Sequence, residues 1–125
     1  MSTNAKAYYE NNPTAMKPVR ASMPDVIKGF AGLHQATMKA GALTVLEKEL
    51  MAMAIGIATR CENCIYSHAQ AAVNAGGTRE QILEAAGVAV LMQGGPAYTY
   101  LPRVLEALDA IAERSSTRAG SLTAS

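Results

Sequence analysis

The chain has 125 residues, half of them hydrophobic, with five per cent aromatic residues, no Trp and a formal net charge of +1. That length suits one domain with a real core, and a near-zero charge without any run of like sign gives no basis for a nucleic-acid groove or a polybasic membrane patch. The core must be built from Ala, Leu, Ile, Val and the seven Met, a palette that favours helices over sheets.

Residues 1–23 read as a lead-in: a short helix around Ala5 to Tyr9, then an extended stretch from Pro13 to Pro24 that also holds Pro18. Met1 to Asn12 lacks the apolar segment of a secretory signal, and no stretch reaches the roughly eighteen continuous apolar residues of a spanning helix. The chain is therefore expected to be cytoplasmic, with no membrane and no nucleic acid among its partners. A helical domain follows over 24–113. Pro24 and Asp25 suit the first turn of its opening helix, Val26, Ile27, Phe30, Leu33 and Met38 supply an apolar stripe, and Gly41 stops it. Thr44 and Glu47 make a capping box for a second helix, which runs to about Thr59. From Leu50 to Ala58 every residue is apolar or Gly, which predicts burial on all sides. In so short a chain that points to a homo-oligomer.

The third helix begins near Cys61 or Glu62, turns Ile65, Ala69, Ala72 and Val73 inward, and ends at Gly76-Gly77. Thr78 with Gln81 is a second capping box, opening a fourth helix through about Met92 with Ile82, Ala86, Ala89 and Val90 on one face. Gly94-Gly95-Pro96 breaks that helix. A fifth carries Leu101, Val104, Leu105, Leu108 and Ile111 at helical spacing, with Pro102 as a kink or a restart. Residues 114–125 are small and polar and are expected to fray as a disordered tail. No segment alternates with period two, so the expected fold is all-α, a compact multi-helix bundle.

The chemistry concentrates in Cys61-Glu62-Asn63-Cys64-Ile65-Tyr66-Ser67-His68, which holds both cysteines and one of the two histidines. Two thiols at this spacing can close a small disulfide ring, and His68 lies one helical turn beyond Cys64 on the same face. In a reducing compartment such a pair is more often catalytic or metal-binding than a structural staple; two inert, buried cysteines are the bland alternative. A thiol attacks as its thiolate, from a starting pKa of about 8.5. The start of a helix stabilises an anion by roughly 0.3–1 kcal/mol, worth about one pKa unit or less. A base is needed for the rest, and His68 is positioned to take or relay the proton.

Of two carboxylates on the preceding helix, Glu47 is occupied by the capping box. Glu49 shares a stripe with Leu46 and Met53, so it faces apolar surroundings that suit proton transfer near neutral pH; a solvated first-turn carboxylate is the alternative. His34 has no sequence partner and reads as structural or rim-lining. Tyr66, Tyr98 and Tyr100 could edge a pocket or simply pack. Zinc competes for the site, since Cys61, Cys64, His68 and Glu49 make four donors. A structural zinc site usually takes more cysteines or a second histidine, so no metal is expected. Haem attachment would require His directly after the second Cys, where Ile65 stands.

With these residues the chain resembles the AhpD-like, or carboxymuconolactone decarboxylase-like, family of all-helical proteins, from about Leu43 to Ile111. The family signature, a Glu twelve residues before C-x-x-C and a His four after its second Cys, appears as Glu49, Cys61, Cys64 and His68. The stretch from Ala75 to Gln81 and the Gly94-Gly95-Pro96-Ala97 break are similar too. The resemblance implies a thiol-dependent antioxidant oxidoreductase, an alkylhydroperoxidase with peroxiredoxin-type activity and no cofactor. It implies Cys64 as the peroxidatic thiol, oxidised to a sulfenic acid, and Cys61 as the resolving thiol that closes the disulfide. Glu49 and His68 would be the proton relay. The implied partners are a hydroperoxide or disulfide substrate, a dithiol reductant of lipoyl or thioredoxin type, and further copies of the chain in a hexamer or trimer. The well-studied hydroperoxidase members carry His immediately before the second Cys, where this chain has Asn63. The lactone-decarboxylating branch works without the cysteine pair, so that reaction is not implied here. A thiol-disulfide reductase without peroxide activity, and a non-catalytic redox-sensing or metal-binding assembly module, are the competing readings.

Overall fold

Four side-chain caps mark helix starts in the computed structural model, which describes residues 3–124, and their side chains as far as Arg118. Thr3 opens α1 (Asn4–Ser22), its hydroxyl accepting from the Lys6 amide at 3.2 Å. Helix α2 (Pro24–Met38) starts on a proline, whose missing N–H costs nothing in a first turn. Thr44 opens α3 (Val45–Ala58), Cys61 opens α4 (Glu62–Asn74) and Thr78 opens α5 (Arg79–Gln93). The Thr44–Glu47 and Thr78–Gln81 capping boxes are both present. A single turn, α6 (Gly95–Tyr98), precedes α7 (Leu101–Ala124). Pro102 sits in the first turn of α7, so it restarts the chain rather than kinking it. The described residues contain no strand, and the protein is all-α.

Helix α4 lies at the centre, against α3, α7 and α1. Its Ile65, Tyr66, Ala69 and Ala72 are buried with Met53 and Ile57 of α3, Ile82 and Ala86 of α5, and Val104 and Ala107 of α7. Alanines at four of those ten positions let backbones approach closely, and each fully buried Ile contributes roughly 1.5–3 kcal/mol over an exposed one. Val73 and Val90 pack only partly buried, and Leu105 is left exposed.

Four expectations require correction. The lead-in is not extended, because α1 runs helically through Pro13 and Pro18. An interior proline costs about 3 kcal/mol, but Ala5 and Tyr9 are buried in the core, and the Tyr9 hydroxyl donates to the Tyr66 carbonyl at 2.6 Å. Helix α3 is not covered on all sides within one chain: Met51 and Ile55 face outward, because its neighbours pack against the other side. The stripe of α2 finds no cover either, since no residue of that helix is buried and Phe30 is 68% exposed. Finally, α7 continues to Ala124 where a frayed tail is expected; no proline interrupts it, and a Lys6–Glu113 ion pair with Arg114 set over the Tyr9 ring ties it to α1. Ser125 lies outside the described residues.

Candidate active site

The turn from α3 into α4 is made by backbone hydrogen bonds. The Arg60 amide donates to the Ile57 carbonyl at 3.1 Å and the Cys61 amide to the Gly56 carbonyl at 2.9 Å, the usual way a left-handed residue stops a helix. The left-handed residue is Arg60, at φ 56°, and it immediately precedes the first cysteine. A residue with a Cβ pays roughly 1–2 kcal/mol for that conformation. Cys61 then caps α4, its sulfur accepting from the Cys64 amide at 3.2 Å. Cys61 and Cys64 are joined as a disulfide, with their Cα atoms 5.2 Å apart. Beneath them α3 must come very close. A Cβ on Gly56 would lie 3.0 Å from the Cys64 Cβ and 3.3 Å from the Ile65 amide nitrogen, so glycine is what permits the approach.

One turn after Cys64 on α4, His68 turns to α3, and its Nδ1 is 2.7 Å from Oε2 of Glu49. Glu49 is 4% exposed and is the one buried charged residue among the described side chains. A buried carboxylate needs a partner, and removing one member of such a pair typically costs about 3–5 kcal/mol. With Nδ1 engaged, Nε2 is the imidazole nitrogen left to exchange a proton. Glu47 sits elsewhere, its carboxylate accepting from the Thr44 amide at 2.8 Å, a bond that holds its pKa below the ordinary carboxylate value. Of the four site residues read from the sequence, Cys61 and Cys64 are bonded, Glu49 and His68 are in contact, and Cys64 and His68 are neighbours on one helix.

The structure adds residues that sequence reasoning missed. Glu62, between the cysteines, accepts from Arg103 Nε of α7 at 3.0 Å, and that guanidinium lies 4.7 Å from the centre of the Tyr100 ring. The first turn of α4 is thereby pinned to α7 across 41 residues of sequence, a contact that leaves no local signal. Gly56 did leave one, as the single glycine of a mostly apolar helix. His34, read from the sequence as structural or rim-lining, stands beside the site, its ring parallel to that of His68 within 15° and 6.4 Å from it between centroids. Tyr66 is a core residue that also backs a cleft: it is 1% exposed, burial pushes its hydroxyl pKa up to about 12, and it lines the space between α1 and the start of α4. A cleft of about 330 Å³ between α1 and the start of α4 has Asn4, Asn11, Asn12, Glu62 and Asn63 among its lining. No group of three or more His, Cys, Asp or Glu among the described residues is arranged to hold a metal ion.

The comparisons agree with this architecture. Residues 24–110 match the carboxymuconolactone decarboxylase family. An uncharacterized protein of Cupriavidus necator is 31% identical over 90 residues, 72% of this chain and 80% of that protein. An uncharacterized protein from the cox locus of Paracoccus denitrificans is 39% identical over 82 residues, 66% of this chain and 74% of its own. Among solved structures, a carboxymuconolactone decarboxylase family protein of Legionella pneumophila superposes with a TM-score of 0.78 at 40% identity, covering 90% of this chain and 97% of its own. Another, from Thermotoga maritima and described as having a suggested involvement in antioxidative response, gives 0.68 at 31% identity, over 73% of this chain and 94% of its own. The chain belongs to the carboxymuconolactone decarboxylase family.

Proposed function

We propose that the protein is a thiol-dependent antioxidant oxidoreductase, an alkylhydroperoxidase of the AhpD-like type, that cycles through a Cys61–Cys64 disulfide in the cytoplasm. The observation that carries this reading is the buried Glu49 carboxylate held 2.7 Å from His68, on the helix whose start bears the cysteine pair. The antioxidative role suggested for the Thermotoga relative supports it. In the reduced protein Cys64 gives its proton to His68 at Nε2, and Glu49 stabilises the imidazolium through Nδ1. The Cys64 thiolate attacks the peroxide: an S–O bond forms, the O–O bond breaks, and the departing alkoxide takes the proton from His68. Cys64 is now a sulfenic acid. The Cys61 sulfur displaces its hydroxyl, which leaves as water with the Cys61 proton, and the disulfide closes. A dithiol of lipoyl or thioredoxin type then returns two electrons and two protons and is itself oxidised to a disulfide.

A second reading, a thiol-disulfide reductase without peroxide activity, draws on Asn63, which stands where hydroperoxidase members carry an additional His. Titration of the reduced protein with a hydroperoxide separates them. One equivalent should remove both thiols and close the intramolecular disulfide. Cys61→Ser should accumulate a dimedone-reactive sulfenic acid, whereas Cys64→Ser should form none. Thiols that ignore peroxide but reduce a disulfide substrate would favour the second reading; inert thiols with metal in the purified protein would favour a redox-sensing or metal-binding assembly module.

The same proposal includes self-association into a trimer or hexamer. Phe30, Leu33, Ile55, Leu91 and Met92 are each more than 60% exposed, an apolar surface that a soluble monomer rarely leaves bare. Light scattering at micromolar concentration should return a multiple of the protomer mass, and a monomer there would refute it.

A further inference from the structure

Helix α2 buries none of its own residues, yet its last turn is held in place. Lys48, adjacent to Glu49 on α3, donates to the carbonyl oxygens of Thr37 and Lys39, each at 2.7 Å, and so sets a cation at the C-terminal end of α2. One turn before Thr37 is His34. Its exposed imidazole lies parallel to that of His68, 6.4 Å away between centroids. Core packing does not account for an imidazole at this position, because the helix that carries it contributes nothing to the core.

We propose that His34 is the solvent-side proton carrier of the Glu49–His68 pair. The inference rests on the thiol-disulfide cycle proposed above and is independent of which oxidant drives it. Glu49 is closed off from solvent, and Nδ1 of His68 is engaged with it, so a proton that enters or leaves the pair passes through the Nε2 edge of His68. The two parallel rings, 6.4 Å apart between centroids, are far enough apart for one water to join them. The route is then solvent, His34, a water, His68, and the cysteine sulfur.

Reduction of the disulfide by a dithiol shows why the route matters. A reductant thiolate attacks one sulfur, the S–S bond breaks, and the released cysteine takes a proton from His68. The second reductant sulfur then closes the reductant's own disulfide and releases the other cysteine. The protein gains two electrons and two protons, both protons originating from the two reductant thiols. The first of these enters through solvent and must reload His68, the step assigned to His34.

The test uses the full chain with dithiothreitol as reductant, following loss of the Cys61–Cys64 disulfide by rapid quench and alkylation. His34→Ala should slow it by about tenfold or more, within the range of a positioned proton carrier, and free imidazole in the buffer should restore the rate. The pH profile of Cys64 alkylation, measured in a Cys61→Ser background, should stay where it is, because a carrier changes the rate of proton delivery and not the thiolate equilibrium. A wild-type rate in His34→Ala overturns the inference. So does a loss that imidazole fails to restore and His34→Gln repairs, since Gln keeps bulk and hydrogen bonding without carrying a proton. A wild-type protein inert to peroxide refutes the peroxidase reading alone, because the dithiothreitol assay does not use peroxide; cysteines that form no disulfide refute both.

Discussion

At the entrance to α4 the chain turns through Arg60 at φ 56°, and at its exit through Gly76 at φ 93°. The hydrogen bonds correspond: Cys61 N–H to the Gly56 carbonyl at 2.9 Å in one turn, Gly77 N–H to the Ala72 carbonyl at 2.8 Å in the other. The exit uses glycines where geometry asks for them, since a Cβ on Gly77 would fall 2.7 Å from the Ala72 carbonyl oxygen. The entrance keeps a side chain in a conformation that glycine would adopt freely, caps the helix with a cysteine, and has a buried carboxylate nearby. The left-handed Arg60 and the Cys61 cap adjoin the disulfide directly, while the buried Glu49 carboxylate meets α4 one turn past Cys64, at His68. Among the described residues the one non-glycine at positive φ stands at the entrance, beside the cysteine pair.

Glu49→Gln should have the largest effect. It preserves size and a hydrogen bond to His68 but removes the base, and oxidation or reduction of the cysteine pair should slow about a hundredfold or more. Stopped-flow kinetics across pH would check it. A matching change at the exit, Thr78→Ala, should leave those kinetics alone while lowering stability by about 1 kcal/mol through loss of its cap. If Glu49→Gln reacts as the wild type does, Glu49 is a structural residue and the two ends are alike.

The two left-handed residues should respond in opposite directions. Gly76→Ala forces a Cβ into that region and should cost about 1–2 kcal/mol. Arg60→Gly relieves a similar strain, offset by roughly 0.5–1 kcal/mol of added backbone entropy in the unfolded chain, so it should be neutral to about 1 kcal/mol stabilising. Urea denaturation of the two variants measures both signs. Clear destabilisation by Arg60→Gly would mean that the arginine side chain contributes more than the turn costs.

The smallest effect separates the two capping boxes. The α3 box uses a titratable Glu47, whose pKa is lowered chiefly by accepting the Thr44 amide, whereas the α5 box uses Gln81. A carboxylate with a depressed folded-state pKa contributes stability that is fully present above its unfolded value, about 4.3, and is lost as pH falls through the folded one. Thermal melts from neutral pH down to about pH 3 should show a small acid-dependent contribution in the wild type that Glu47→Gln removes. The Gln side chain should still cap the helix, so stability near pH 7 should change little.

Features that live within one or two helical turns follow from local sequence. Both capping boxes, the start of α4 at the cysteine pair, the stop at Gly76-Gly77 and the all-helical character follow from side chains that reach backbone groups three or four residues away. The pairing of Glu49 with His68 was implied by the family resemblance, whose signature carries both residues, and the tight turn from α3 into α4 is what brings them to 2.7 Å. Features that depend on surfaces meeting emerge only when the helices pack. Helix α1 persists through two prolines because Tyr9 and Ala5 find the core, while the apolar stripe of α2 stays uncovered because no element among the described residues packs over it. His34 beside His68, and Arg103 on Glu62, join helices far apart in sequence. Neither leaves a trace in local spacing, since their positions are set by how whole helices pack and not by the residues that flank them.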